Sequence, residues 1–258
     1  MTNKKLGIIQ SRGLGDILIA LPIANYYKKQ GWEIHWPICA SFIKNFESHV
    51  PWVNWISVPV DKQGKFFYDK PYQLLESEQC DEIICLYQSL TGHPEFIKRP
   101  EFQITKFDQI KYHIAEVPFL EKWKLADCIS RDLEKEKVLF DKLVNKEQKP
   151  YVVIHRKGSD FSAKIDSAWI PEDYQQIEIE EQSDSIFDWL TILEKAECLL
   201  LVDSVFSNLV DQFQINNTVE SYFLPRSHIH LTPVLGGKWT VIEPDADTLK
   251  KITIFRMG

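Results

Sequence analysis

The sequence predicts an α/β protein made of two successive Rossmann-like halves, and three observations carry that prediction. Leu6 to Ile9 is an apolar run of strand length; a polar turn with Gly13 and Gly15 follows, and Asp16 opens a helical pattern. Strand-length apolar runs then alternate with helical stretches, as βαβ units require. After the polar stretch Lys146 to Pro150 the same pattern restarts at Tyr151 to His155. The expected division is an N-terminal domain over residues 1–149, carrying a connecting helix, and a C-terminal domain over residues 150–258.

Composition narrows the function classes. A chain of 258 residues with 44% hydrophobic and 26% charged residues has the makeup of an ordinary globular protein, which excludes a repeat or disordered chain. The net charge of −7 offers no broad electrostatic footprint for nucleic acid, so that partner is not expected. Cys39, Cys80, Cys85, Cys128 and Cys198 form no CxxC pair or zinc spacing, and they read as reduced thiols of a cytoplasmic protein. The apolar run near the start is interrupted by Gln10, Ser11 and Arg12, which is not a signal peptide, and no run is long enough to span a membrane.

In the first half, Ile17, Ala20, Leu21, Ala24 and Tyr27 recur at helical spacing up to Lys29, with Pro22 predicting a kink or a late start. Glu33 to Ile38 and Val53 to Val60 read as strands around a short helix from Ala40 to His49. Trp36, Trp52 and Trp55 read as packing rather than a sugar platform. Asp61 to Tyr72 reads as a surface loop, and Glu82 to Tyr87 as a strand buried on both faces. The loop after it carries His93, at the strand end where an acceptor could be met; a solvated loop histidine is the alternative. Phe107 to Glu116 and Pro118 to Ala126 read as helical, and Asp127 to Lys149 as a charged connecting helix with one apolar stripe.

In the second half, the strand Tyr151 to His155 leads into a basic turn. Arg156, Lys157 and Lys164, with Gly158 and Ser159, suit an anionic ligand; a solvated basic loop is the alternative. Gln176 to Glu180 is a short strand, and Ser183 to Ala196 a helix capped by Ser183 or Asp184. Cys198 to Val202 is a buried strand ending at Asp203 and Ser204, which read either as an N-cap pair or as the start of a phosphate site with Ser207 and Asn208. Strands from Asn217 to Phe223 and Trp239 to Glu243 and a helix from Asp245 to Lys251 complete the series. Arg226, His228 and His230 match no zinc spacing.

Two stretches resemble a known family. Arg12-Gly-Leu-Gly-Asp-Ile-Leu-Ile-Ala-Leu-Pro22 is similar to the N-terminal signature of the heptosyltransferase-like glycosyltransferases of glycosyltransferase family 9. Leu201-Val-Asp-Ser-Val-Phe-Ser-Asn-Leu209 resembles their second strand-to-helix element, and Ser167 to Pro171 their Trp-Pro element. The resemblance implies the GT-B arrangement, two Rossmann-like domains facing a cleft, and a metal-independent glycosyltransferase with no cofactor beyond its nucleotide-sugar donor. It implies that Asp16 is the base that activates a hydroxyl of a glycan or glycolipid acceptor. Gly13, Gly15, Arg156, Lys157, Lys164, Asp203, Ser204, Ser207 and Asn208 are the implied donor and phosphate contacts. The chain departs from the pattern at Val205, where the family has glycine, at Asn208, where it has histidine, and ahead of Trp169, where the family's phosphate lysine is absent. Those departures keep a degenerate nucleotide-sugar-binding protein as the alternative, beside a transferase acting on nucleic acid. A nicotinamide-dependent oxidoreductase fits less well, because the third position of the glycine fingerprint falls on Leu18.

Overall fold

Two parallel sheets, each made by one stretch of chain, organise the protein. The computed structural model describes residues 4–60, 65, 67–87, 106–145, 150–158, 162–163, 165, 170, 172–226 and 232–242. Its contacts divide it into Met1–Ser130 and Arg131–Gly258.

In the first unit, β1 (Lys5–Ile9), β2 (Glu33–Cys39), β3 (Val53–Val58) and β4 (Glu82–Cys85) form a parallel sheet in the order β3-β2-β1-β4. Its helices are α1 (Leu14–Lys29), α2 (Ala40–Phe46), α3 (Asp69–Ser77) and α4 (Phe107–Ile114), followed by a 3-10 segment, Phe119–Cys128, with a break at Lys124. Helix α1 starts before Asp16 and runs through Pro22. Its residues from Ile17 to Asn25 are all buried, and that burial outweighs the one backbone hydrogen bond a proline removes. The Tyr112 hydroxyl of α4 donates to the Ile19 carbonyl (2.9 Å), fixing α4 against α1. The tryptophans pack as expected: Trp36 is fully buried and stacks on Trp55, with ring centroids 5.4 Å apart. Two expectations fail here. Helix α3 begins at Asp69, inside the supposed surface loop, and buries Pro71 and Leu75. Strand β4 is the sheet's edge among the described residues, with Glu82 exposed and only Ile84 buried.

In the second unit, β5 (Tyr151–His155), β6 (Gln175–Glu178), β7 (Cys198–Val202), β8 (Glu220–Leu224) and β9 (Thr240–Val241) pair in parallel in the order β6-β5-β7-β8-β9. Strands β5 and β7 are buried along their whole length, because each has a neighbour on both sides and cover on both faces. The helices are α5 (Leu133–Leu143), α6 (Leu190–Glu194) and α7 (Val205–Gln212). Helix α5, expected to close the first domain, sits in the second unit. Arg131 donates to both oxygens of buried Glu136 (2.8 and 2.5 Å) and to Glu194 of α6 (2.6 Å), and Glu136 accepts from the Thr191 amide (3.0 Å). The division of contacts falls at 130/131, ahead of α5. The helix expected from Ser183 to Ala196 is a 3-10 turn, Ile186–Trp189, running into α6. Its cap is Ser185, which accepts from the Phe187 amide, while the Ser183 hydroxyl is drawn away to Asp188.

Candidate functional site

Each sheet has one place where strand order reverses, the place where a parallel α/β sheet generally meets its ligand. In the first unit it lies between β1 and β4, and in the second between β5 and β7. Of the residues expected to carry chemistry, those that are described lie at the strand ends and helix starts beside these two points.

At the first, β1 runs into Gln10, Ser11, Arg12 and Gly13 before α1 begins. Gly13 has φ +83°, and a Cβ there would overlap the Asp16 carboxylate at Oδ2. Gly15, expected in the turn, is instead the second residue of α1. Asp16 lies in the first helical turn, where the exposed amides favour negative charge. Its side chain is 38% exposed, and Oδ1 lies 3.2 Å from the Nζ of Lys111, which comes from α4 and is 7% exposed. Lys111 also donates to Gln10 Oε1 (2.5 Å), and Gln10 in turn donates to the Arg12 carbonyl (2.7 Å). Tyr87, just past β4, accepts from the Arg12 amide (2.9 Å) and lies 3.2 Å from Ser11 Oγ. Burial pushes the Tyr87 phenol up to about 12, against the smaller opposing effect of Ser11, so it stays a neutral hydroxyl. A part-exposed carboxylate beside a fixed backbone turn is an arrangement that can accept a proton from a hydroxyl within hydrogen-bond reach.

At the second, Ser204 caps α7. Its oxygen accepts from the Phe206 amide (3.2 Å) and from the backbone of Ser207, and it lies 2.9 Å from His155 Nδ1. Burial, then the nearby Lys157, pushes His155 down to about 4, so the ring is neutral. A serine oxygen that already accepts twice has its proton left to give, so hydrogen-bond accounting assigns Ser204 as donor to Nδ1 and leaves the imidazole proton on Nε2. Ser207 donates to the Ser204 carbonyl (2.9 Å), as does Asn208 through Nδ2 (2.9 Å). Asp203 is 2% exposed and accepts from Arg226 Nε (2.9 Å). Arg156 pairs with Glu178 (3.0 Å), while Lys157 is exposed.

The sequence placed Asp203, Ser204, Ser207 and Asn208 together, and together they are, yet their side chains are turned inward as caps and braces. His93, Lys164, Ser167, Ala168, Trp169, Pro171, His228 and His230 lie outside the described residues. Among the described residues no group of three or more His, Cys, Asp or Glu could hold a metal ion, and no helix is long and apolar enough to cross a membrane.

No family model and no curated protein matches the chain. Solved structures do. A family 9 glycosyl transferase from Veillonella parvula is similar over 94% of this chain and 88% of its own, with a TM-score of 0.59 at 13% identity. Escherichia coli heptosyltransferase WaaC, in complex with ADP-2-deoxy-2-fluoro heptose, is similar over 96% and 95%, with a TM-score of 0.55 at 12% identity. E. coli ADP-heptose heptosyltransferase II is similar over 93% and 90%, with a TM-score of 0.50 at 12% identity. The fold is the heptosyltransferase-like GT-B fold.

Within this fold, sequence reading missed Lys111, Gln10 and Tyr87 in the first unit and His155 and Arg226 in the second. A signal existed for Lys111: it falls one helical turn after Phe107 and beside Ile110, on a stripe that should be apolar. His155 ends a strand that is otherwise wholly hydrophobic, which is where an α/β sheet presents residues to a ligand.

Proposed function

We propose that the chain is a glycosyltransferase that moves a sugar from a nucleoside-diphosphate donor to a hydroxyl of a glycan or glycolipid. The observation that carries the reading is the Asp16 carboxylate, part exposed at the turn after β1 and set between Gly13 and Lys111. Asp16 takes the proton as the acceptor oxygen attacks the anomeric carbon; the bond from that carbon to the diphosphate breaks, and the nucleoside diphosphate leaves. In the second unit, exposed Lys157 and the amide end of α7 are the groups suited to holding the donor's diphosphate without a metal ion. The likeness to a structure of WaaC holding an ADP-sugar analogue supports a nucleotide-sugar donor. Five unpaired thiols, three of them buried, support a reducing compartment such as the cytoplasm.

A second reading, a nucleotide-sugar-binding protein without turnover, is favoured by the inward commitment of Asp203, Ser204 and Ser207. One experiment separates the two. Thermal unfolding is followed with UDP-, GDP-, ADP-, CMP- and dTDP-sugars and with NAD, and each ligand that shifts the midpoint is assayed for nucleotide release. A ligand at a hundred times its Kd stabilises by about 2.7 kcal/mol. A shift with turnover that Asp16→Asn abolishes supports the transferase. A shift without turnover supports the binding protein, and a shift with NAD alone refutes both.

A further inference from the structure

We propose that Lys111 is the positioning residue of Asp16, holding one carboxylate oxygen so that the other faces the acceptor. The inference rests on Asp16 acting as the base. Lys111 sits on α4, far from Asp16 in sequence, yet its ammonium lies almost fully buried beside the Asp16 carboxylate. A buried ammonium costs several kcal/mol unless its charge is paired and its protons are bonded. Here the ammonium donates to Gln10 Oε1 at 2.5 Å and to the Leu86 carbonyl at 3.5 Å, and it forms an ion pair with Asp16 Oδ1 at 3.2 Å. Tyr87 and Phe107 close the remaining sides, with ring centroids 5.8 and 5.9 Å from Nζ.

Its burial decides between two roles. An ammonium awaiting a phosphate would reach solvent, whereas this one is 7% exposed, bonded to Gln10 and to the end of β4, and paired with Asp16. Lys111 therefore acts through Asp16. The other carboxylate oxygen is set by Gly13, which leaves room for Oδ2 that any side chain would fill. Gln10 completes the link: its oxygen receives Lys111 and its amide nitrogen holds the Arg12 carbonyl, tying the ammonium to the turn that carries Gly13. One carboxylate is thus fixed from both sides, and an error of about 1 Å in such a group costs about 100-fold in rate.

The test uses the full chain with UDP-glucose, ADP-glucose, GDP-mannose and dTDP-glucose, reading nucleoside diphosphate release with water as acceptor, and donor affinity by calorimetry. Lys111→Met is expected to lower kcat about 100-fold with donor affinity unchanged. Lys111→Arg, which keeps the charge, is expected to recover part of the loss. Because Lys111 works through Asp16, the double variant Lys111→Met/Asp16→Asn should be no slower than Asp16→Asn alone. Full turnover in Lys111→Met, or weakened donor binding at unchanged kcat, overturns the positioning role while leaving Asp16 as the base. Full turnover in Asp16→Asn, or a wild-type chain inert with all four donors, overturns the transferase reading and this inference with it. Should Lys111→Met fail to fold, Gln10→Leu, which removes the link to the turn, carries the test: a normal kcat in that variant overturns the inference.

Discussion

Replacing Gly13 by alanine separates backbone strain from damage to the site. Gly13 has φ +83°, a region that side-chain-bearing residues enter at a cost of about 1–3 kcal/mol. Gly31, after α1, has φ +90° and nothing within 4 Å of a built Cβ, so Gly31→Ala should incur the strain and little else. At Gly13 the new methyl group also overlaps Asp16 Oδ2. The carboxylate must swing away, and its 3.2 Å pairing with Lys111 is then lost or lengthened. Both variants should lower the stability of the unit that holds them by about 1–3 kcal/mol, read by chemical denaturation. Only Gly13→Ala should also lose turnover, by about 100-fold, read as nucleoside diphosphate release at saturating donor. If Gly13→Ala keeps wild-type turnover, or if both variants lose it equally, the glycine does not shape the carboxylate and the reasoning fails.

Other predictions concern packing and titration. Lys122 and Asp108 form a fully buried ion pair at 2.7 Å that joins the 3-10 segment to α4, with Trp123 facing the ammonium at 4.6 Å. Asp108→Ala should destabilise by about 3–5 kcal/mol, since it takes the carboxylate away from a buried ammonium, while Asp108→Leu combined with Lys122→Met should recover most of that; denaturant midpoints of the two variants against the wild type check it. His155 has its folded value pushed down to about 4 from 6.5, so its contribution to stability is present in full above pH 6.5 and is lost as the pH falls toward 4, where the unfolded chain binds the proton first. The loss should approach about 3 kcal/mol, and His155→Phe should flatten that part of the stability–pH curve. Arg226→Ala should lower stability by about 3–5 kcal/mol, because Asp203 is almost wholly buried and loses the guanidinium 2.9 Å away; a change below about 1 kcal/mol in urea unfolding would contradict that pairing.

Local chemistry was legible in the sequence. Gly13 and Asp16 are three residues apart, so a turn followed by a helix brings them together whatever the rest of the chain does. Ser204 and Ser207 have the spacing of a cap that bonds back on itself, and it forms. Strands β1, β2, β5 and β7 were readable because an apolar run of that length satisfies its backbone only in a buried sheet. Where local signals compete, reading failed: Ser183, Asp184 and Ser185 all suit a helix cap, and only packing selected Ser185.

Strand order decided the rest. Lys111 meets Gln10 across 101 positions because β4 returns beside β1 and delivers α4 over the β1 turn. His155 meets Ser204 across 49 positions because β7 pairs with β5. Helix α5 joined the second unit through Arg131, Glu136 and Glu194, although its charge pattern alone reads as a connector. By itself the sequence determined which residues stand at the ends of strands and the starts of helices, since periodicity and capping act within a few residues. Tertiary structure decided which charges those ends must satisfy, because a buried ammonium or carboxylate takes its partner from whatever element the sheet brings alongside.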